Sequence, residues 1–467
     1  MKLVKSLLLG SAAGIAAVAG AQAADLPSRK AAPVEYVRVC SAYGAGFFYI
    51  PGTDTCLRVG GRVRAEYTVG TRYGDLQDAY GMRARGRLNV DARTATAYGT
   101  LRTFFRYELT NNSGMYLNTT PAGNQGITFP GNIHSTSTST SSLLDLAFVQ
   151  FGPITAGRAQ SFFDFYANDF GFSTLRTADS RLNLLAYTAT FGSGFSATIS
   201  VEDRTSGTGN RENGAFTRNF LGFGGAGASV LYEGQDFPDI VASLRVDQGW
   251  GSAQLSGALT QRKVSGLTLA GAAIAPIAFS SDEYGWAIQG GVKINLPMLA
   301  AGDHLFLQAA YADGALGYLG WSGNYGVGRT GPLILGDIGY DPATGSTKTS
   351  TGWSVVAGLR HFWTPQLRSE LYGSYSEIKL GYNNPVANYA IGAVGRSLDP
   401  KEFIVAGNLI WSPVSGLDIG VEVLYTRVEL RDRVGTAVNG VGIVRNGALG
   451  IKNDDAWAGR LRIQRDF

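Results

Sequence analysis

Between Gly81 and Arg93 the chain reads GMRARGRLNVDAR, and its polar residues keep to one parity. Arg83, Arg85, Arg87, Asn89, Asp91 and Arg93 alternate with Met82, Ala84, Gly86, Leu88, Val90 and Ala92. The earlier stretch GRVRAEY does the same, setting Arg62, Arg64 and Glu66 against Gly61, Val63, Ala65 and Tyr67. A period of two places the two sets on opposite faces of a strand. Such a strand needs water or counter-charge on one side and an apolar environment on the other.

Period-two segments recur from Leu57 to Phe467, and their spacing predicts about sixteen strands. The early ones are Leu57–Val69, Tyr80–Arg93 and Thr96–Thr110, and a later pair is Trp250–Lys263 with Glu283–Leu296. Tight breaks (TA near Thr94, GP after Phe151, GSG after Phe191) alternate with long ones such as Asn111–Ser142. Short turns on one side and long loops on the other are the pattern of an outer-membrane β-barrel.

A water-soluble sandwich would also alternate. Against it, many strands reach the roughly 9–11 residues that a tilted strand needs to cross a bilayer. Their apolar faces also carry Tyr67, Tyr284, Trp286, Trp353, Tyr425 and Trp457, residue types that favour the lipid–water boundary. In lipid every backbone N–H and C=O must be paired, so the sheet has to close on itself. An arginine facing lipid at mid-membrane costs about 2–4 kcal/mol. The arginine faces must therefore look inward. A barrel of sixteen strands is too wide for side chains to fill, so the expectation is a water-filled bore.

The N-terminus carries Lys2 and Lys5, a short apolar core and an Ala21-Gln22-Ala23 cleavage pattern. Residues 1–23 read as a signal peptide, and the rest of the chain as exported. Of 40 basic residues two lie in that leader, against 36 acidic ones, and a near-neutral balance gives no reason to expect nucleic acid as a partner. Residues 24–56 form an N-terminal segment whose Cys40 and Cys56 read as one disulfide around a Gly- and aromatic-rich loop. Two free thiols or half a metal site are the alternatives. No histidine is spaced to complete a metal set, so no metal is expected.

An open bore of this width needs a constriction. Ser161–Arg181 follows the short strand Ile154–Gln160 and holds Phe162, Phe163, Phe165, Tyr166, Phe170 and Phe172, too many rings for a solvated surface loop. Folded into the barrel, it would carry Asp164, Asp169 and Asp179 into the lumen. Packing beneath neighbouring external loops is the alternative. The inward parity of the first strands supplies Arg62, Arg64, Arg83, Arg85, Arg87, Arg102 and Arg106. Facing rows of guanidinium and carboxylate would set pore selectivity. Some of these arginines would instead pair with Glu66, Asp91 or Glu108.

The stretches VCSAYGAGFFYIPGTDTCLRVGGRVRAEY, GRAQSFFDF and RLRIQRDF resemble the general porins of alphaproteobacteria, and the resemblance covers the mature chain. It implies a sixteen-stranded homotrimeric barrel in the bacterial outer membrane, with residues 57–467 forming the barrel. It also implies contact with lipid and lipopolysaccharide, passive diffusion of small hydrophilic solutes, and a third loop folded inward at Ser161–Arg181. The terminal Phe467 matches the residue by which the barrel-assembly machinery recognises such chains. Small outward positions (Gly61, Ala65, Ala84, Gly86, Ala97, Gly99 and Gly459) suggest a subunit interface, with plain lipid contact as the alternative. A substrate-specific channel for a sugar or an anion is the rival function. GFGGAG (Gly222–Gly227) lacks a βαβ context, and neither His304 nor His361 has a Ser and carboxylate constellation, so no cofactor and no enzyme activity are expected.

Overall fold

The computed structural model describes residues 38–71, 78–116, 138–204, 214–217, 228–232, 234–270, 273–321, 324–325, 333–341, 346–382, 384–388, 392–396, 398–434 and 451–467. The expected signal peptide, residues 117–137 of the long polar break and the GFGGAG stretch lie outside the described residues.

Residues up to Leu57 and residues from Arg58 onward form two compact units. In the first, Cys40 and Cys56 are disulfide-bonded, with Cα atoms 5.9 Å apart. The bond resolves the choice that the sequence left open. Both cysteines are buried with Phe47 between Tyr43 and Tyr49, and Arg38 lies 4.7 Å over the Tyr49 ring.

The second unit is a closed antiparallel barrel. Its strands are β1 (Cys56–Gly70, which enters this unit at Arg58), β2 (Tyr80–Thr96), β3 (Gly99–Gly114), β4 (Ser139–Phe151), β5 (Ile154–Gln160), β6 (Arg181–Gly192), β7 (Phe195–Glu202) and β8 (Asp239–Gln248). They continue with β9 (Gly251–Ala270), β10 (Ala273–Asn295), β11 (His304–Asp313), β12 (Thr351–Thr364), β13 (Leu367–Lys379), β14 (Lys401–Val414), β15 (Leu417–Val434) and β16 (Ile451–Asp466). Each pairs with its sequence neighbour, and β16 pairs with β1 from Arg62↔Asp466 to Gly70↔Ala458. That last ladder removes the edges, as lipid requires.

Several boundaries differ from expectation by a few residues, and two of the differences bear on the site and the wall. The first turn is Thr96–Gly99 rather than Thr94: Thr96 Oγ donates to Gly99 O and accepts from Tyr98 N, and Gly99 takes φ +111°, a conformation open to glycine. Ala97 therefore sits in a turn and Gly99 at a strand end, not on an outward wall. The ladder between β9 and β10 runs on to Ala270↔Ala273, well past the expected ends.

Outward side chains form two aromatic belts. At the long-loop end Trp286, Tyr311, Trp353, Tyr375, Phe403, Tyr425 and Trp457 occur on successive strands, with ring pairs 4.6–6.5 Å apart. At the tight-turn end Phe151, Phe191, Phe195, Trp250, Trp363 and Trp411 are all exposed. The sequence reading named members of the first belt and missed the second. The apolar core of this unit lies inside the barrel, between the wall and two inward segments.

Candidate functional site

All seven expected arginines point inward, on a wall formed by β1, β2 and β3. They are not a bare row. Glu66 is shared by Arg83 and Arg462 (2.5 and 2.6 Å), and Glu108 by Arg85 (3.5 Å) and Arg87. Asp91 is shared by Arg93 and Arg102 (2.7 and 3.0 Å), and Asp145 by Arg106 and Arg181 (both 3.3 Å). Arg62 pairs with Asp466 at 2.5 Å, while Arg64 donates to Gln464 at 2.9 Å. Two guanidiniums per carboxylate leave this wall with an excess of positive charge. The side chains of Arg62, Arg85, Arg87, Arg102 and Arg106 stay partly exposed. Phe104 and Phe148 stack at 5.4 Å beneath Arg102 and Arg106, which holds those two stems upright.

The segment Ser161–Ser180 does fold into the barrel. Strand β5 stops after seven residues, and the chain turns across the lumen toward the far wall. Its backbone is received by long polar side chains on inward positions of that wall. Gln254 Nε2 donates to the carbonyls of Phe162, Phe163 and Asp164 at 3.2–3.3 Å, and Gln289 to Phe163 at 2.8 Å. Gln308 accepts from Tyr166 N and donates to Thr177 Oγ. Glu370 accepts from Gly171 N, and Glu422 from Phe172 N, both at 2.6 Å. Arg176 meets Glu402 at 2.5 Å, and Arg460 reaches the carbonyl of Phe172. Buried backbone must find partners, and here the wall provides them. Gly171 sits at φ +68°, and a Cβ there would lie 2.0 Å from the Tyr372 hydroxyl, so only glycine fits. Burial pushes the Tyr166 hydroxyl well above its ordinary range.

The three expected aspartates have three different surroundings. Asp164 is buried at the loop's neck and accepts from Gln160 Nε2 (2.5 Å) and Ser180 N (2.7 Å). Asp169 is exposed and borders a recess of about 650 Å³ that also holds Arg245, Lys293 and Asp247. Asp179 pairs with Arg181 at 3.4 Å, and Arg181 in turn joins the Asp145–Arg106 pair. Asp179 is thereby linked to the arginine wall, and Gln160 Nε2 bridges it to Asp164.

Sequence reasoning missed the receiving residues Gln254, Gln289, Gln308, Glu370, Glu402 and Glu422. Each is a long polar residue at inward parity, and that was the available signal. It also missed a second inward segment, Ala315–Trp321, between β11 and β12, which is almost wholly buried. Phe163 meets Tyr318 edge-on at 4.7 Å, and Arg176 lies 4.1 Å over the Trp321 ring.

A family model described as porin subfamily matches residues 25–459. Porin Omp2b of Brucella neotomae is 32% identical over 477 residues, covering 99% of each chain. Porin Omp2b of Brucella abortus (strain 2308) is 33% identical over 341 residues, 66% of this chain and 85% of the relative. Among solved structures, the outer membrane channel DcaP of Acinetobacter baumannii matches with a TM-score of 0.55 at 16% identity, covering 90% of this chain and 99% of that one. That likeness is one of fold.

Proposed function

The chain belongs to the porin subfamily and forms an outer-membrane channel for passive diffusion of small hydrophilic solutes and ions, and from this premise we propose how its eyelet selects. The carrying observation is the wall on which carboxylates are shared two arginines to one. Guanidinium stays protonated at any physiological pH, so the bias is permanent. The Debye length at physiological salt is about 8 Å, comparable to a narrow passage, so the field of the wall reaches a solute in transit. Asp179, coupled through Arg181 to Asp145, is the loop's carboxylate on the route. Asp164 holds the neck, and Asp169 acts in the recess beside Arg245 and Lys293.

Replacing Arg85 and Arg87 together by Gln tests this. A unit charge about 8 Å away in water is worth about 0.5 kcal/mol, and about 0.2 after screening. Two such charges acting oppositely on cation and anion change the permeability ratio by about 2- to 4-fold. The reversal potential in a KCl gradient should move toward cations by that amount. An unmoved potential removes these arginines from the eyelet.

The excess of guanidinium also favours a second reading, a channel specific for an anionic solute. Block of the ion current by one anion at low concentration would support it, and a large current indifferent to added solutes would support general diffusion.

We also propose a homotrimer, with outward Ala65, Ala84, Gly86 and Gly459 of β1, β2 and β16 in the interface. Ala97 and Gly99 leave this set, and so does Gly61, which is buried against the Phe467 ring. A Cβ on Gly86 would meet nothing within 4 Å, so Gly86→Trp leaves the barrel itself intact. The substitution should convert the oligomer band on an unheated gel to monomer, and a persisting oligomer would place the interface elsewhere. Phe467, whose backbone exchanges two hydrogen bonds with Gly61, is the proposed assembly signal.

A further inference from the structure

Residues 314–321, which follow β11, turn into the barrel. Leu316, Tyr318, Leu319 and Trp321 are exposed by 1% or less, and so is Phe163 of the first inward loop. Water between these residues and the wall would expose them, so no water layer separates the two. The inward positions behind them are small: Ala258 on β9, Ala287 on β10, Ala310 and Ala312 on β11. A bore kept open for solutes would not need small, apolar inward residues on one side only. Here they make room for rings.

The polar groups of the segment are satisfied as in a globular core. Arg262 and Asp337, both wholly buried, pair at 3.1 Å. Asp337 accepts from Leu316 N and Arg262 donates to Gly314 O. Tyr318 donates to Asp239 at 2.7 Å, and Asp239 pairs with Arg204 at 2.9 Å. Trp321 Nε1 donates to Ser376 on β13, under the guanidinium of Arg176, which also donates to Gly320 O. A buried ion pair loses its compensation when either partner moves away. Two of them, cross-linked by hydrogen bonds to both the segment and the wall, hold it in one place.

We propose that residues 314–321 and the first inward loop form a fixed septum that closes the β8–β13 side of the lumen to through passage, leaving the recess beside Asp169 as a blind pocket. Solutes then pass only along the guanidinium wall of β1–β3, and Trp321 is the positioning residue that holds the eyelet loop through Arg176. The inference rests on the channel reading above. It makes the pore eccentric and gives its cross-section two determinants instead of one.

Cysteine mapping of the full-length chain in native membranes tests it. The two natural cysteines are already disulfide-bonded and silent. Arg87→Cys on the route should react with a small membrane-impermeant methanethiosulfonate, and conductance should fall. Ala287→Cys and Ala310→Cys, behind the septum, should stay unlabelled until the barrel is unfolded. Labelling of either in the folded barrel, alongside Arg87→Cys, overturns the septum and leaves the channel standing. An unreactive Arg87→Cys overturns the channel reading and the septum with it. In the Ala287→Cys background, Trp321→Ala should make the cysteine reactive and raise single-channel conductance, while Trp321→Phe, which keeps a ring under Arg176, should restore protection. Equal protection in both Trp321 variants would remove its positioning role. If Trp321→Ala fails to assemble, the mapping in the otherwise native chain still decides.

Discussion

Replacing Glu66 by Ala should destabilise the barrel by about 3–5 kcal/mol, the range for removing one partner from a buried ion pair. Glu66 is 1% exposed and stands directly across from Arg462 in the ladder that joins the last strand to the first. Its carboxylate takes Arg83 Nε at 2.6 Å and two nitrogens of Arg462 at 2.6 and 2.8 Å, with Arg460 4.0 Å away. Without it, guanidiniums from two strands are left facing each other at the seam. Seam strain of that kind acts on closure, the step that pairs the last backbone groups. The measurement is the thermal midpoint at which the folded band of the purified porin disappears. Glu66→Gln keeps an acceptor but not the charge, and should fall between wild type and Glu66→Ala. The same substitution leaves the wall more positive, so the reversal potential of any barrels that assemble should move toward anions. A midpoint unchanged in Glu66→Ala would mean that lumenal water hydrates these arginines well enough to make the carboxylate dispensable.

The parity of Arg83, Arg85 and Arg87 was legible because lipid leaves a charged face only one direction to point. The inward fold of Ser161–Ser180 was legible because six rings in one loop must be buried somewhere. The same argument applied to ALGYLGW (Ala315–Trp321) would have found the second inward segment, but its run of apolar residues is shorter and is punctuated by glycines, as ordinary loops are. Which residues receive the loop was not legible. Gln254, Gln289 and Gln308 lie ninety or more residues from the atoms they hold, and their role depends on distances across a closed barrel. The different surroundings of Asp164, Asp169 and Asp179 arise in the same way. A carboxylate's neighbours are set by where the loop tip lands, and its sequence spacing carries no trace of that. Ala97 and Gly99 were misplaced for a local reason: a turn displaced by two residues moves the start of the next strand, and residues assigned to a face become part of the turn. The pairing of the wall arginines with Glu66, Asp91 and Glu108 was foreseen as one possibility, and it is the arrangement found.

Leu255→Arg should shift the folding equilibrium of the barrel strongly toward the unfolded chain. Leu255 lies on the outward parity of β9, is 51% exposed, and pairs with Leu244 and Gly290, both also outward. It is five residues beyond Trp250 of the tight-turn belt. At about 3.4 Å per residue and a tilt of about 40°, that puts it about 13 Å up, the middle of an apolar band about 25 Å tall. Arginine at that depth costs about 2–4 kcal/mol. The folded-to-unfolded ratio in a urea titration on lipid vesicles should therefore drop by about 30- to 700-fold. Thr188→Arg is the counterpart: Thr188 faces inward on β6 opposite Thr198, so the same charge enters water and assembly should proceed. The pair isolates orientation, because both substitutions place the same charged side chain on a barrel strand. Tolerance of arginine at 255 together with rejection at 188 would invert the barrel's faces. The arginines of β2 would then look outward, and neither the eyelet nor the septum could survive that result.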